Sequence, residues 1–197
     1  MHRPESIGLG GRNVRLEPLA VRHRPDLEAA AGEDPGALRL GALLLTLHGW
    51  DAWYGEAVDG IAEGRYVAWA TVEVATGRAV GSTRFGDIDV PSERLEIGWT
   101  WLAPSRWRTA LNTETKLLQL HYAFDELGAG RVALKTDGRN LQSQAAIERI
   151  GGVREGTLRR HMRMPDGFIR DSVHYSILAS EWPVIRSRLE ERFRAGN

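Results

Sequence analysis

Residues 95–116 read Leu-Glu-Ile-Gly-Trp-Thr-Trp-Leu-Ala-Pro-Ser-Arg-Trp-Arg-Thr-Ala-Leu-Asn-Thr-Glu-Thr-Lys. This stretch indicates more about the fold than any other part of the sequence. The first half alternates as a strand, with its bulky apolar side chains on one face: Leu95, Ile97, Trp99 and Trp101. The same alternation places Glu96, Gly98 and Thr100 on the opposite face. The Ala-Pro pair ends the strand. Apolar residues spaced three and four apart then predict a helix.

The loop between that strand and that helix has the composition of an anion site. It contains two arginines, and hydroxyls occur in the loop and the first helical turn: Arg106, Arg108, Ser105, Thr109 and Thr113. A helix N-terminus offers unpaired N–H groups and a partial positive charge. These features predict a phosphate site, and they place it close to the carboxylate of Glu96.

This segment resembles the signature of the GCN5-related N-acetyltransferases, the GNAT family, in the branch around the ribosomal-protein N-terminal acetyltransferases. That branch carries Glu-Ile-Gly-aromatic on its fourth strand, then a Trp-Gly-Lys-Gly-type turn, then Thr-Glu-Ala at the start of the helix. The matching residues here are 96–99, 107–112 and 113–115. The chain departs from the pattern at the glycines, which allow close backbone approach to a pyrophosphate. Their places are taken by Arg108, Ala110 and Asn112.

A second match follows at the spacing of the family. Residues 131–136 alternate as a strand, and Asn140-Leu-Gln-Ser143 opens a helix that Gly151 and Gly152 end. The family has a strand, then Asn-x-x-Ser, then a helix that lies beside the thiol of coenzyme A. The resemblance spans residues 11 to 183.

The remaining elements follow in the order typical of the family. The sequence predicts strands at 14–18, 66–74, 78–85, 157–162 and 168–178, and helices at 25–31, 38–47, 51–62 and 182–194. The resemblance implies an α/β fold whose mixed, mostly antiparallel sheet has about seven strands, with helices on both faces. We expect a flexible N-terminal tail (1–10), an N-acetyltransferase domain (11–183) over which the resemblance extends, and a C-terminal helix of that domain (184–197).

The resemblance also implies roles for particular residues in an acetyl-CoA-dependent transfer. Glu96 is the candidate base, and Ser143 the candidate that assists the leaving thiolate. The alternatives are an ion-paired strand carboxylate for Glu96 and a helix cap for Ser143. The residues expected to contact coenzyme A are Trp101, Leu102, Arg108, Thr109, Ala110, Leu111, Asn112, Thr113, Asn140 and Ser143. The alternative for 108–113 is an exposed loop and cap.

Three residues are candidates for the acceptor pocket: Arg84, Trp99 and Tyr175. The alternative for each is a place in the core. Acceptor specificity is expected to depend on loops around 36–60 and 159–172, whose sequences do not identify a ligand. The acceptor is expected to be a primary amine, on a small molecule or at a protein N-terminus. The competing hypothesis is a non-catalytic, coenzyme-A-binding sensor or partner-binding module.

Composition excludes several other classes of protein. The formal net charge of zero argues against a nucleic-acid binder. The absence of cysteine rules out disulfides, thiolate metal sites and an acetyl-cysteine intermediate, so direct transfer is favoured. The histidines lack metal-ligand spacing. No signal segment or membrane span is evident, and we expect a cytoplasmic protein, either monomer or homodimer.

Overall fold

The structure is a computed structural model that describes residues 1–40 and 43–195. The described residues form one eight-stranded sheet in the order β1-β2-β3-β4-β5-β6-β8-β7. The strands are β1 (Leu9–Gly10), β2 (Val14–Pro18), β3 (Val67–Glu73), β4 (Ala79–Asp89), β5 (Arg94–Leu102), β6 (Arg131–Asp137), β7 (Val153–Arg163) and β8 (Ile169–Leu178). The helices are α1 (Arg24–Gly32), α2 (Leu43–Ala62), α3 (Ala110–His121), α4 (Leu141–Arg149) and α5 (Trp182–Ala195).

The predicted fold class is confirmed, with eight strands where about seven were expected. Neighbouring strands are antiparallel except β5 and β6, which run parallel. The parallel pair follows from the chain order, because α3 carries the chain from the end of β5 back to the start of β6.

Helices cover both faces of the sheet and separate its core into two parts. On one face α3, α4 and α5 pack over side chains such as Phe85, Leu95, Leu120 and Tyr175. We call this the α3 face. On the other, α1 and α2 pack over a smaller cluster that includes Leu27, Trp50, Trp53 and Trp101. We call this the α2 face.

Capping and turn residues set the helix bounds. Thr109 caps α3, and Asn140 caps α4 by accepting a hydrogen bond from the Ser143 N–H at 3.0 Å. α2 is kinked at Gly49, which has a φ of +77°. Of the helix predicted at 38–47, residues 41 and 42 lie outside the described residues. Residues Ala37–Leu40 form a 3-10 turn before α2.

The N-terminal residues are more ordered than the sequence predicted. Residues 1–10, expected to be a flexible tail, pack against the domain and end in β1. The Glu5 N–H donates to the Tyr122 hydroxyl at 2.9 Å, and the Trp69 indole donates to the Ile7 carbonyl at 2.7 Å. Backbone groups make these contacts, so side-chain patterning of the segment gave no sign of them.

The helices and the acidic and histidine side chains bear on two of the classes of protein considered above. Within residues 1–40 and 43–195, no helix combines the length and apolar character needed to cross a membrane. In the same part of the chain, no group of three or more histidine, aspartate or glutamate side chains is arranged to hold a metal ion.

Candidate active site

A bulge in β5 shapes the centre of the site. Arg84 of β4 pairs with Gly98, while Ser82 pairs with Trp101, so Trp99 and Thr100 together oppose the single residue Thr83. Trp99 has a φ of +51°, in the left-handed region that few residues other than glycine adopt. Such a bulge leaves an extra residue outside the ladder and bends the strand.

The bulge overturns the predicted alternation of β5. Leu95 and Ile97 lie on the α3 face, as a simple strand requires, but Trp101 packs on the α2 face against Trp53. Trp99 also leaves the α3 face, and its ring stacks above Gly86, where a Cβ atom would lie 2.6 Å from it. The prediction that the four apolar side chains share one face is therefore wrong. Because of the extra residue, side chains beyond the bulge point to the opposite face from the one that simple alternation predicts.

The second feature is a gap between β5 and β6. The two strands pair at Arg94–Leu95–Glu96 with Arg131–Val132–Ala133, and the described residues make no further pairs between them. Beyond this point β6 continues alongside β8 as far as Asp137. The bulge therefore lies on one side of a gap, and the end of β6, which leads into the capped start of α4, lies on the other.

Glu96 lies where the gap begins. Its side chain is nearly buried, with the residue 5% exposed, and its Oε2 accepts a hydrogen bond from Lys135 Nζ at 2.7 Å. Burial raises the pKa of the Glu96 carboxyl, and the charge of Lys135 opposes that shift without cancelling it. A carboxylate with a raised pKa is better matched to accept a proton near neutral pH.

Lys135 was missed by the motif analysis, although the alternation of β6 contains the signal. Val132 and Leu134 point into the core on the α3 face, so Lys135 must point to the α2 face, beside Glu96 of the neighbouring strand. His174 of β8 pairs with Lys135 and adds an imidazole that the motifs did not place here. Burial lowers the pKa of His174, and the nearby His161 and Lys135 act in the same direction.

Arg84 lies in a box of aromatic rings on the same face. Its guanidinium carbon is 5.5, 5.2 and 5.9 Å from the ring centroids of Trp53, Tyr66 and Trp99. Arg84 is fully buried, at 0% exposed, and forms an ion pair with Glu56. Its Nε and Nη2 atoms have no hydrogen-bond partner among the described residues. Arg84 and Trp99, both predicted for the acceptor pocket, are thus neighbours.

Tyr175, the third residue predicted for that pocket, lies elsewhere. It pairs with Leu134, is 1% exposed, and donates its hydroxyl hydrogen bond to Glu148 of α4 at 3.2 Å. It therefore belongs to the core on the α3 face, across the sheet from Glu96. The neighbouring His174 occupies the position on β8 that faces the candidate site.

The loop before α3 holds the residues predicted for phosphate binding. Two groups in it already have partners: Arg106 Nη2 donates to Glu73 at 3.1 Å, and Ser105 donates its hydroxyl to Glu33 at 2.9 Å. Arg108, with a φ of +61°, is exposed and has no ion pair within residues 1–40 and 43–195. Its side chain stands at the start of α3.

The first turn of α3 completes that loop. Thr109 accepts from the Leu111 N–H and donates to the Arg106 carbonyl at 2.7 Å, which fixes the entry to the helix. Behind the loop, the Trp107 indole donates to the Leu102 carbonyl at 2.9 Å. Residues 110–113 form the open first turn, with Ala110 exposed, Leu111 buried, and Asn112 and Thr113 half-buried.

Comparison with known proteins gives a consistent assignment. The family model described as "Acetyltransferase (GNAT) domain" matches residues 13–153. The crystal structure of a GCN5-related N-acetyltransferase from Brucella melitensis superposes with a TM-score of 0.86 at 31% identity, covering 96% of this chain and 86% of that one.

Two named relatives are similar in sequence. YdaF of Bacillus subtilis, provisionally named a ribosomal N-acetyltransferase, is 33% identical over 106 residues, 54% of this chain. The match spans 57% of the length of YdaF. The FsC-acetyl coenzyme A-N(2)-transacetylase of Aspergillus fumigatus is 29% identical over 185 residues, covering 86% of this chain and 75% of that protein.

Proposed function

Because the chain belongs to the GNAT acetyltransferase family, we propose that it is an N-acetyltransferase that moves an acetyl group from acetyl-CoA directly to a primary amine. The observation that carries the proposal is the gap between β5 and β6, with the bulge beside it and Glu96 at its inner end. It supports an arrangement in which the thioester lies between an activating backbone and a base.

Acetyl-CoA is the cosubstrate of this family, and the residues around the gap fit it. The pyrophosphate would be held at the start of α3, where the N–H groups of the first turn lack helical partners and Arg108 adds a positive charge. The pantetheine chain would enter the gap beside Trp101 and Leu102. The start of α4, with Asn140 and Ser143, closes the other side.

The transfer itself exchanges one bond for another. Glu96 accepts a proton from the acceptor ammonium, and the neutral amine attacks the thioester carbonyl carbon. The C–N bond forms, the C–S bond breaks, and the nitrogen loses a second proton as the amide forms. That second proton neutralises the coenzyme A thiolate, with help from Ser143. N–H groups of the bulge stabilise the charge that develops on the carbonyl oxygen. With no cysteine in the chain, no acetyl-cysteine is formed on the way.

The acceptor is proposed to be an α-amine or another amine of low pKa, on a small molecule or a protein N-terminus. An α-amine has a pKa of about 7.7–8.0 and a lysine side chain about 10.4, so a lysine needs about 3–4 kcal/mol more for deprotonation at pH 7. Glu96 is a single carboxylate already bonded to Lys135. Among the relatives, the name of YdaF refers to ribosomal acceptors and that of the fungal protein to FsC.

One observation favours a second candidate, a coenzyme-A-binding module without turnover. Arg108 occupies a left-handed backbone position in the pyrophosphate turn, where the family has glycine. An arginine side chain there changes how closely the backbone approaches a phosphate. Both candidates bind acetyl-CoA, so only turnover separates them.

The test is thiol release from acetyl-CoA by the purified chain against amino acids, polyamines and peptides with free N-termini. Turnover on at least one amine is expected, and Glu96→Gln should lower it by roughly 10²–10⁴-fold with little change in acetyl-CoA affinity. Part of the lost rate should return at high pH, where the amine is already neutral. Binding without turnover on any amine would favour the module. Full activity of Glu96→Gln at pH 7 would remove the base assignment.

A further inference from the structure

A buried polar cluster lies directly under the β5 bulge, on the α3 face. Lys116 of α3 is its centre: Nζ is 2.6 Å from Thr100 Oγ1, 2.9 Å from Gln119 Oε1 and 3.1 Å from Thr83 Oγ1. The two threonine oxygens are themselves 2.7 Å apart. Lys116 is 6% exposed and was given no role by the sequence motifs.

Two of the three partners of Lys116 are residues that define the bulge. Thr100 is one of the two bulged residues of β5, and Thr83 is the single residue of β4 that opposes them. Thr100 also donates to the Gly98 carbonyl at 3.3 Å. One ammonium group therefore bridges the two strands next to Trp99, which has a left-handed backbone conformation.

Within residues 1–40 and 43–195, Lys116 forms no ion pair, and none of the groups bonded to its Nζ is acidic. Its Nζ contacts β4, β5 and its own helix through Thr83, Thr100 and Gln119, all of them neutral. The helix also packs against β2, whose buried side chains Val14 and Leu16 are apolar. The nearest acidic residue of α3, Glu114, accepts from the N–H groups of Arg12 and Asn13, and Arg84 of β4 points to the α2 face.

Burial lowers the pKa of Lys116 to about 7. A buried ammonium that faces only neutral groups destabilises a fold relative to an apolar side chain of similar size. A purely structural role is therefore a poor account of a lysine at this position. Two of its three hydrogen bonds are directed at the bulge, and the third goes to Gln119 of its own helix. The side chain is therefore placed to support the geometry of the bulge.

We propose that Lys116 is a positioning residue for acetyl transfer, which holds the β5 bulge so that its backbone N–H groups meet the thioester carbonyl. The inference rests on the proposed function. Lys116 touches neither substrate in this account; it acts through Thr83 and Thr100. Replacing it should loosen the bulge while leaving the first turn of α3, and hence the phosphate site, in place.

Lys116→Met in the full chain tests this, with Leu117→Met as a control on the same helix and Lys116→Arg as the conservative variant. Lys116→Met should unfold at a higher urea concentration than the wild type and have a kcat lowered by roughly 10–100-fold. The Leu117→Met control should keep its kcat. Lys116→Arg, which retains the donors, should recover part of the kcat.

Ligand affinity distinguishes failure of this inference from failure of the proposed function. The wild type should bind acetyl-CoA more tightly than coenzyme A, because only acetyl-CoA has the carbonyl that the bulge contacts. Lys116→Met should lose that preference while its affinity for coenzyme A stays within about twofold. This comparison remains decisive even if no amine acceptor supports turnover. An unchanged preference together with an unchanged kcat would overturn the proposal.

A pH series checks that the charge is buried. Since the folded-state pKa of Lys116 lies below its unfolded value of 10.5, the unfolded chain binds the proton more tightly. The stability of the wild type should therefore rise relative to that of Lys116→Met as the pH increases from about 7 towards 9. A lower urea midpoint for Lys116→Met across this range, with kcat lost in proportion, would assign Lys116 an ordinary structural role and reject the proposal.

Discussion

Lys135 and Glu96 join β6 to β5 at the place where these strands separate, through a hydrogen bond of 2.7 Å between Nζ and Oε2. Ala133 of β6 makes the last pair with Glu96, and Lys135 lies two residues further along the same face. The pair therefore sets the inner end of the gap. It also couples the candidate base to a charge on the far strand.

The pH dependence of the reaction should respond to Lys135→Met. The charge of Lys135 opposes the rise in the Glu96 pKa that burial causes, so its removal should raise that pKa further. The acidic limb of kcat/KM should move to higher pH, with activity at pH 6 lower by roughly tenfold and less affected at pH 8. Glu96→Gln is the control, because it should have no such limb. A limb that stays in place in Lys135→Met would mean that another group titrates.

Two substitutions of Arg108 should separate the contribution of its charge to coenzyme A binding from the strain of its backbone. Arg108→Ala keeps a side chain in the left-handed conformation but removes the charge, and it should weaken coenzyme A binding by about 1.5–3 kcal/mol. Arg108→Gly should show the same loss with a stability gain of up to about 1 kcal/mol. Calorimetric titration and urea unfolding measure the two effects. Phosphate-free pantetheine is the control, and an equal loss for that ligand would indicate damage to the loop.

Acetyl-CoA should stabilise the folded chain. At a hundred times its dissociation constant, one bound molecule adds about 2.7 kcal/mol to the free energy of unfolding. For a chain of this length that corresponds to a rise in Tm of roughly 5–10 °C. Thermal scans with and without ligand measure it, with pantetheine as the weaker control. An unchanged Tm at millimolar acetyl-CoA would argue against the proposed site.

The Arg84 box should depend on Glu56. Glu56→Gln leaves a fully buried guanidinium without its carboxylate, which should lower the free energy of unfolding by about 3–5 kcal/mol. Asp51→Asn on the same helix is the control: Asp51 is 85% exposed and pairs with Arg24, and its loss should cost under about 1 kcal/mol. Urea unfolding of both variants gives the comparison. Similar losses for the two would show that the buried pair is no stronger than a surface pair.

Regular features of the sequence were sufficient to predict individual strands and helices, and the family resemblance implied the sheet that they form. The alternation of residues 131–136 predicted β6, and the apolar spacing after residue 116 predicted α3, whose Leu120 is buried. A helix cap was also predictable, since Asn140 was expected to cap α4 and does so in the structure. These signals are local, and the structure preserves them.

The features that were missed arise between strands. Nothing in the order of residues 95–102 marks the bulge, because the extra residue is defined only against Thr83 of β4. Alternation carried past Gly98 therefore placed Trp99 on the wrong face. The same reason explains the prediction for Tyr175. Whether Tyr175 or its neighbour His174 points towards Glu96 depends on the register of β8 with β6. The catalytic and binding roles of the candidate residues remain predictions.

The gap between β5 and β6 makes the sheet two smaller sheets that share a three-residue seam. One unit holds β1 to β5, and the other holds β6, β8 and β7. Beyond the seam, core side chains on the α3 face join the two units, and Ile185 and Leu189 of α5 are among them. Local opening of a protein follows such weak seams. A cosubstrate lying in the gap would take the place of the missing contacts between the strands. Its binding would therefore also increase the cooperativity with which the two units unfold.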